Sequence, residues 1–356
     1  MESLEVTPSF WKSKRVLVTG HTGFKGSWLT LWLKKLGAEV IGYSNSIPTT
    51  PSLYESSGIN SDIISIIGDI RDLSKLQDTL SEYNPEIIIH MAAQSLVNNS
   101  YNDPIETYST NVMGTVNLLE ATRKSNDVSV IINVTSDKCY ENKETMNGYV
   151  ETDQLGGYDP YSNSKACSEL ITSSFRNSFF NDNPSKNNLA SVRAGNIIGG
   201  GDWSENRLIP DIMKSLQNDI SLKIRNPNGI RPWQHVLDPL NGYLVLAEHL
   251  WNDGHKFSEA WNFGPESDSL KPVSWIVDKI SAYWNNSIKL ENSEHNFHET
   301  HVLSLDCSKS KSRLNWNPKL SLIDSIELTV DWYKAFYNKS DMRKITEQQI
   351  NDFTLL

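Results

Sequence analysis

The chain has 356 residues, 38% apolar and 21% charged, enough for a large core or for two regions sharing one. Its net charge of −10 gives no general pull toward nucleic acid or an anionic membrane, so any phosphate must be held by particular arginines and backbone amides. Cys139, Cys167 and Cys307 fit no disulfide framework, and no apolar leader or bilayer-length apolar run is visible, so a soluble cytoplasmic protein is expected.

The first predicted strand, 15–19, runs into three glycines spaced three apart, Gly20, Gly23 and Gly26, and then an amphipathic helix over 24–36. The first glycine permits a tight turn, the second lets a pyrophosphate approach the backbone, and the third lets helix and strand close together. A helix N-terminus there offers free N–H groups to phosphate. With Thr22, Phe24 and Lys25 between the glycines, this turn is a candidate dinucleotide site.

A second strand, 39–43, ends at Ser44 and Asn45, which offer neither the carboxylate that holds a ribose nor an arginine for an extra phosphate. No basic residue lies between Glu39 and Arg71, so NAD is the expected cofactor. The third strand, 63–68, leads to Asp69 and Ile70, candidates for the adenine edge, although Asp69 reads equally well as a turn cap. After a helix over 72–83, a strand over 86–92 leads to Ala92, Ala93 and Gln94, where backbone can run past the ribose and nicotinamide. Its continuous apolar run, with His90 as a core residue, points to burial on both faces. His21, in the glycine turn, reads as structural or close to the phosphates.

A helix over 103–124 precedes a strand over 129–136, which ends at Ser136, Asp137 and Lys138. Taken alone, those three are a strand-end turn with solvated charges. The helix over 159–180 sets Tyr161 and Lys165 four residues apart, on one face and one turn from each other. An ammonium beside a phenol stabilises the phenolate, the form suited to taking a proton from a sugar hydroxyl. The spacing is common by chance; the glycine turn is what gives it weight. A strand over 189–197 completes the alternating half.

After Gly199 the alternation breaks. A loop over 199–203 is followed by helices at 209–217, 239–251, 273–284 and 323–336, with short strands at 222–225 and 261–263. The expected fold class is α/β: a doubly wound Rossmann-type parallel sheet with a smaller mixed C-terminal region. Residues 1–198, with return segments from the C-terminal half, would bind the dinucleotide, and 199–356 would cover the carboxyl ends of the strands. Several of the eleven tryptophans fall in polar, loop-like stretches and suggest ligand-facing surfaces. His295, His298 and His301 mimic a metal cluster, but the alternating residues after them read as a loop entering a strand, and no metal is expected.

The glycine turn, Asn111, the hydroxyl-bearing strand end and Tyr161-x-x-x-Lys165 together resemble the extended short-chain dehydrogenase/reductase family of nucleotide-sugar enzymes, over almost the whole chain. The stretches 20–28, 135–140, 199–203 and 230–235 are similar to its CDP-glucose 4,6-dehydratase branch, lyases of bacterial dideoxyhexose and surface-polysaccharide synthesis. The resemblance implies hydride transfer from sugar C4 to a tightly kept NAD, loss of water across C5–C6, and return of the hydride to C6. It also implies Asn111 at the cofactor, Tyr161 as base at the C4 hydroxyl, Lys165 on the phenol and nicotinamide ribose, and Ser136 on the C4 oxygen. Asp137 would protonate the leaving C6 hydroxyl. Lys138 stands where related dehydratases carry a glutamate base, and would either take the C5 proton or stabilise enolate charge. Arg231 resembles the diphosphate arginine and Asn196 and Arg207 further nucleotide-sugar contacts. Trp233 and His235 are either contacts or packing residues. The family implies a homodimer through the helices at 103–124 and 159–180. A 4-epimerase, needing no acid and base at C5 and C6, or a catalytically silent NAD-binding scaffold are the rival readings.

Overall fold

The computed structural model describes residues 5–145, 147–181, 187–292 and 302–356. Its centre is a sheet of seven strands: β1 Arg15–Thr19, β2 Glu39–Ser44, β3 Ile64–Ile67, β4 Ile87–His90, β5 Val130–Val134, β6 Asn188–Arg193 and β7 Ala260–Asn262. All neighbours pair in parallel, in the order β7-β6-β5-β4-β1-β2-β3. The interior strands β4 and β5 are buried at every position, as the unbroken apolar runs require of a sheet covered on both faces. Strand order reverses between β1 and β4, which opens a crevice at their carboxyl ends.

The flanking helices are α1 Phe24–Lys35, α2 Leu73–Tyr83, α3 Gly114–Arg123, α4 Pro160–Phe175, α5 Leu208–Asn218, α6 Leu237–Asp253, α7 Val273–Trp284, α8 Leu322–Tyr337 and α9 Met342–Thr354. One buried cluster joins α1, α6, α8 and α9 on one face of the sheet; a second joins α2, α3 and residues of the opposite face. The long helical stretch predicted from 103 is interrupted by a wide π-turn at Ser109–Met113, and the one predicted to 180 ends in another at Arg176–Phe180. Such turns re-aim one side chain within a helix, and here the first contains Asn111.

The short strand predicted at 261–263 is β7, which returns from the C-terminal half and pairs with β6. The strand predicted at 222–225 spans Leu222–Ile224 and pairs instead with Leu290–Asn292, away from the main sheet. The tryptophan expectation is corrected: six of the eleven are fully buried, and among the described residues only Trp203 and Trp233 line the central cleft. Their large area stabilises packing, as between Phe263 and Trp316, whose rings meet edge to face at 4.9 Å. No described helix is long and apolar enough to cross a membrane.

Candidate active site

A cleft of about 1490 Å³ lies over the carboxyl ends of the strands, between the sheet and the segments that follow β6. At one end the chain leaves β1 through Gly20, at φ +76°, where a Cβ would come within 2.8 Å of the Ala92 nitrogen after β4. A Cβ on Gly26 would lie 2.1 Å from the Gly20 oxygen, so α1 can press onto the turn only because Gly26 has none. Gly23 is different: its nearest neighbour to an added Cβ is 3.4 Å away, and it caps α1 with no side-chain partner and no acidic residue in the first turn. Open space in front of uncapped N–H groups is what a pyrophosphate needs, so this cradle fits a dinucleotide.

Thr22, Phe24 and Lys25 also line the cleft, as do Asp69, Ile70, Ala92, Ala93 and Gln94. Thr22 Oγ1 donates to the Ser46 oxygen at 2.7 Å and braces the end of β2. Asp69 is already engaged: Arg71 Nε donates to Oδ1 at 2.9 Å, and the guanidinium holds the carboxyl below its ordinary range. Asn111 does not line the cleft. It is buried behind the loop after β4, where Oδ1 accepts from the Gln94 N–H at 2.8 Å and Nδ2 donates to the Gln94 oxygen at 2.9 Å. The structure thus gives it a brace on the loop, an arrangement that needs an amide with both a donor and an acceptor.

At the middle of the cleft the end of β5 meets the start of α4. Ser136, Asp137, Lys138, Tyr161 and Lys165 all line it. Asp159 caps α4, accepting from the Ser162 N–H at 2.9 Å, and Pro160 fixes its first turn, so Tyr161 enters the cleft from a rigid helix end. Burial pushes the Tyr161 hydroxyl up to about 12, opposed by the Ser136 hydrogen bond and then by Arg207. Lys165 is buried too, its Nζ donating to the Val134 oxygen at 3.2 Å, and desolvation lowers it to about 8. The simple picture of an ammonium drawing the phenol down is therefore revised: burial acts against the charged form of both partners.

Asp137 is the least satisfied of the group. Burial pushes its carboxyl up, against Lys138, Ser136 and Arg231. Oδ1 accepts from Ser136 Oγ at 3.0 Å, while the buried Oδ2 has no partner. The room for Oδ2 comes from Gly195, where an added Cβ would stand 1.9 Å away. Ser136 has one hydroxyl proton and two claimants, Asp137 and the Tyr161 oxygen; a neutral Asp137 releases it to the phenol.

The segments beyond β6 bring Asn196, Arg207, Arg231 and Trp233 to the cleft. Arg207 is held by Asp202 Oδ2 at 3.1 Å and Ser95 Oγ at 3.0 Å. Trp233 donates through Nε1 to the Lys271 oxygen at 2.9 Å. His235 is corrected as a contact: it is fully buried, outside the cleft, with its ring edge-on to Trp28 at 5.8 Å, and desolvation lowers it to about 3. His21 is likewise buried, its two ring nitrogens against Ser44 Oγ at 2.9 Å and Ser65 Oγ at 2.8 Å. His90 pairs with Thr19 Oγ1 at 2.7 Å inside the sheet. His295, His298 and His301 lie outside the described residues, among which no metal-like cluster of ligands occurs.

A family model described as GDP-mannose 4,6 dehydratase matches residues 17–329. The chain belongs to this family. It is 52% identical to the CDP-glucose 4,6-dehydratase of Salmonella typhimurium over 352 residues, 98% of either chain. It is 27% identical to the dTDP-glucose 4,6-dehydratase of Xanthomonas campestris pv. campestris, over 89% of this chain and 92% of that one. In fold it matches the dTDP-glucose 4,6-dehydratase of Streptomyces venezuelae, solved with NAD and TYD bound, with a TM-score of 0.80 at 23% identity, covering 92% of this chain and 98% of that one. The resemblance read from the motifs is borne out at the level of the family.

Within this family member, sequence reasoning missed several cleft residues. Lys214 and Arg225 add two cations to the covering segment, and Arg225 donates to Asn98 Oδ1 at 3.1 Å. Nothing in their local sequence marks them. Lys25, assigned to the glycine turn, reaches across to donate to the Tyr243 hydroxyl at 2.8 Å, and burial together with Lys165 and Arg207 lowers it to about 7. Gly195 did carry a signal, a glycine inside the predicted strand 189–197 and directly before the candidate contact Asn196.

Proposed function

We propose that this chain is a lyase that converts CDP-D-glucose into CDP-4-dehydro-6-deoxy-D-glucose and water. The 52% identity over nearly the full length of a CDP-glucose 4,6-dehydratase supports the substrate, and the unpartnered Oδ2 of Asp137 carries the chemistry. An epimerase has no use for a buried carboxyl pushed toward its neutral form beside the transferring tyrosine. A dehydratase needs such a group to protonate a poor leaving group. Residues 1–198, with the return strand β7, form the dinucleotide-binding part, and 199–356 the nucleotide-sugar part.

Bound NAD supplies the acceptor for the C4 hydride and the donor that returns it to C6. Gly23 and the start of α1 hold its pyrophosphate, Ala92 to Gln94 run beside its ribose and nicotinamide, and the absence of a basic residue at Ser44 to Ser46 disfavours a 2′-phosphate. Tyr161 takes the proton from the C4 hydroxyl while Ser136 hydrogen-bonds the same oxygen. The Ser136 hydrogen bond and then Arg207 favour the phenolate that this step needs, against the cost of burial. The resulting 4-ketone acidifies C5–H, and Lys138, partly buried beside Asp137, receives that proton or stabilises the enolate. Asp137, which desolvation pushes toward its protonated form, gives its proton to the C6 hydroxyl as water departs. Arg231 and Arg207 neutralise the diphosphate, with Asn196 and Trp233 along the rest of the nucleotide sugar.

The exposed apolar residues Ile105, Met113, Leu170 and Phe179, on the helical stretches before and after β5, support a homodimer formed through those helices. The deciding experiment is incubation of the protein with CDP-glucose, UDP-glucose, dTDP-glucose and GDP-mannose in the presence of NAD and deuterated water. A 4-keto-6-deoxy product from CDP-glucose first, with solvent deuterium at C5, is the expected result. Preference for another nucleotide sugar would overturn the substrate, and epimerisation with C5 untouched would overturn the reaction.

A further inference from the structure

One turn beyond Lys165 on α4 lies Glu169, a carboxylate with 2% of its side chain exposed, paired with Arg193 of β6 at 2.8 Å. The mechanism above uses neither residue, and a buried ion pair carries a large desolvation cost that packing alone does not explain. Their remaining hydrogen bonds converge on the Ser136-Asp137-Lys138 turn. On its near side Thr135 donates through Oγ1 to Glu169 Oε1, and the same hydroxyl lies 3.1 Å from the Val192 oxygen. On its far side Arg193 Nη1 donates to the Tyr140 hydroxyl at 2.7 Å and the guanidinium stacks over the Tyr140 ring at 4.8 Å. Ser191 Oγ fills a further lone pair of Glu169 at 2.7 Å. The pair thus grips the residue before Ser136 and the residue that ends the turn at Lys138 and Cys139.

We propose that Glu169, locked by Arg193, is a positioning residue that fixes the Ser136-Asp137-Lys138 turn against α4 and holds Lys165 as an ammonium in the cleft. The inference rests on the dehydratase reading and adds to it. Its electrostatic half follows from helix geometry: residues four apart face each other across one turn, at separations where a carboxylate strongly favours a neighbouring ammonium. The groups that act on Lys165 come from every side. Tyr161 and Glu169 share its helix, Cys139 acts on it from the turn, Lys25 from α1 and His90 from β4. Among these Glu169 contributes the largest effect opposing the desolvation that lowers Lys165 to about 8. Its geometric half follows from the two grips. A carboxylate, with two oxygens and four lone pairs, accepts from Thr135, Ser191 and Arg193 at once; an amide in the same place keeps all three only if Thr135 turns its hydroxyl to the Val192 oxygen, and it no longer supplies the charge.

The test is Glu169→Gln, with Glu169→Asp as the charge-retaining control. Lys165 acidity is read directly, from the pH dependence of its reductive methylation by formaldehyde and an amine–borane, followed by peptide mass spectrometry. The wild-type midpoint is expected near 8, and that of Glu169→Gln about one pH unit or more lower. Glu169→Asp should stay with the wild type. In turnover of CDP-glucose near neutral pH, kcat should fall roughly 10–100-fold in Glu169→Gln while KM changes little. Should that variant fail to fold because Arg193 is left unpaired, the doubly neutral Glu169→Gln/Arg193→Gln removes the stranded charge, and the same downward shift is expected. An unchanged Lys165 midpoint and an unchanged kcat in a folded variant would overturn the proposal. Failure of the wild type to dehydrate CDP-glucose would instead overturn the dehydratase reading, while the methylation midpoints would still decide whether Glu169 controls Lys165.

Discussion

Gly195→Ala isolates the function of Asp137 without touching it. The added Cβ would stand 1.9 Å from Asp137 Oδ2 and 2.5 Å from its Cγ, where ordinary contact begins at 3.4 Å. The oxygen must therefore retreat by roughly 1.5 Å, because the neighbours of the carboxylate are the backbone of β6 and the Ser136 turn, both hydrogen-bonded in place. Overpacking of this kind costs about 1–3 kcal/mol of stability, which leaves a 356-residue chain folded. The functional loss should be larger, because a displacement of about 1 Å at a reacting group costs roughly 100-fold. The assay compares CDP-glucose with its 6-deoxy-6-fluoro analogue, whose fluoride leaves without a proton. Gly195→Ala should dehydrate CDP-glucose about 100-fold more slowly while eliminating fluoride at close to the wild-type rate. Equal losses on both substrates, or none on either, would refute the assignment of Asp137 as the acid.

Tyr161→Phe should abolish reduction of the nicotinamide on mixing with CDP-glucose, a loss of at least about 100-fold followed by absorbance, since Tyr161 is the base proposed for the C4 hydroxyl. His235→Phe should leave the KM for CDP-glucose within about twofold of wild type, because the ring packs on Trp28 outside the cleft and desolvation already keeps it neutral. Asp238, buried at the start of α6, accepts from the Lys319 N–H at 2.7 Å through Oδ1, leaves Oδ2 unpartnered, and is raised by desolvation to about 7. Its folded value exceeds its unfolded one, so the stability it lends is complete below about pH 4 and is lost as pH rises toward 7. Asp238→Asn should accordingly raise the melting temperature at pH 8, by an amount corresponding to roughly 2–4 kcal/mol, and change it little at pH 4. A Tm difference independent of pH would contradict the burial argument.

Much of this architecture is written in local sequence. Alternating apolar runs and amphipathic segments specify six of the seven strands and the main helices between them, since the interior runs need burial on both faces. The glycine turn specifies the cradle at the start of α1, because the three close approaches are backbone constraints with a fixed spacing. Tyr161 and Lys165 share a face by helical period alone. The seventh strand was read as part of the C-terminal region, because three residues carry no mark of the sheet they join. The tryptophans were misread, and His235 was left open, for a related reason: a side chain in a polar stretch says nothing of whether a distant helix covers it.

What tertiary structure alone decided is the electrostatics of the site. The sequence determined that a phenol, an ammonium, a carboxyl and a hydroxyl stand at the ends of β5 and α4. Only packing determined that burial raises Tyr161 to about 12, lowers Lys165 to about 8, and leaves Asp137 Oδ2 unpartnered in the space beside Gly195. Spacing along a chain sets which groups can meet. The burial around them and the nearby charges come from residues far away in sequence, Arg207 acting on Tyr161 and Arg231 on Asp137, and that environment shifts which of the groups holds a proton.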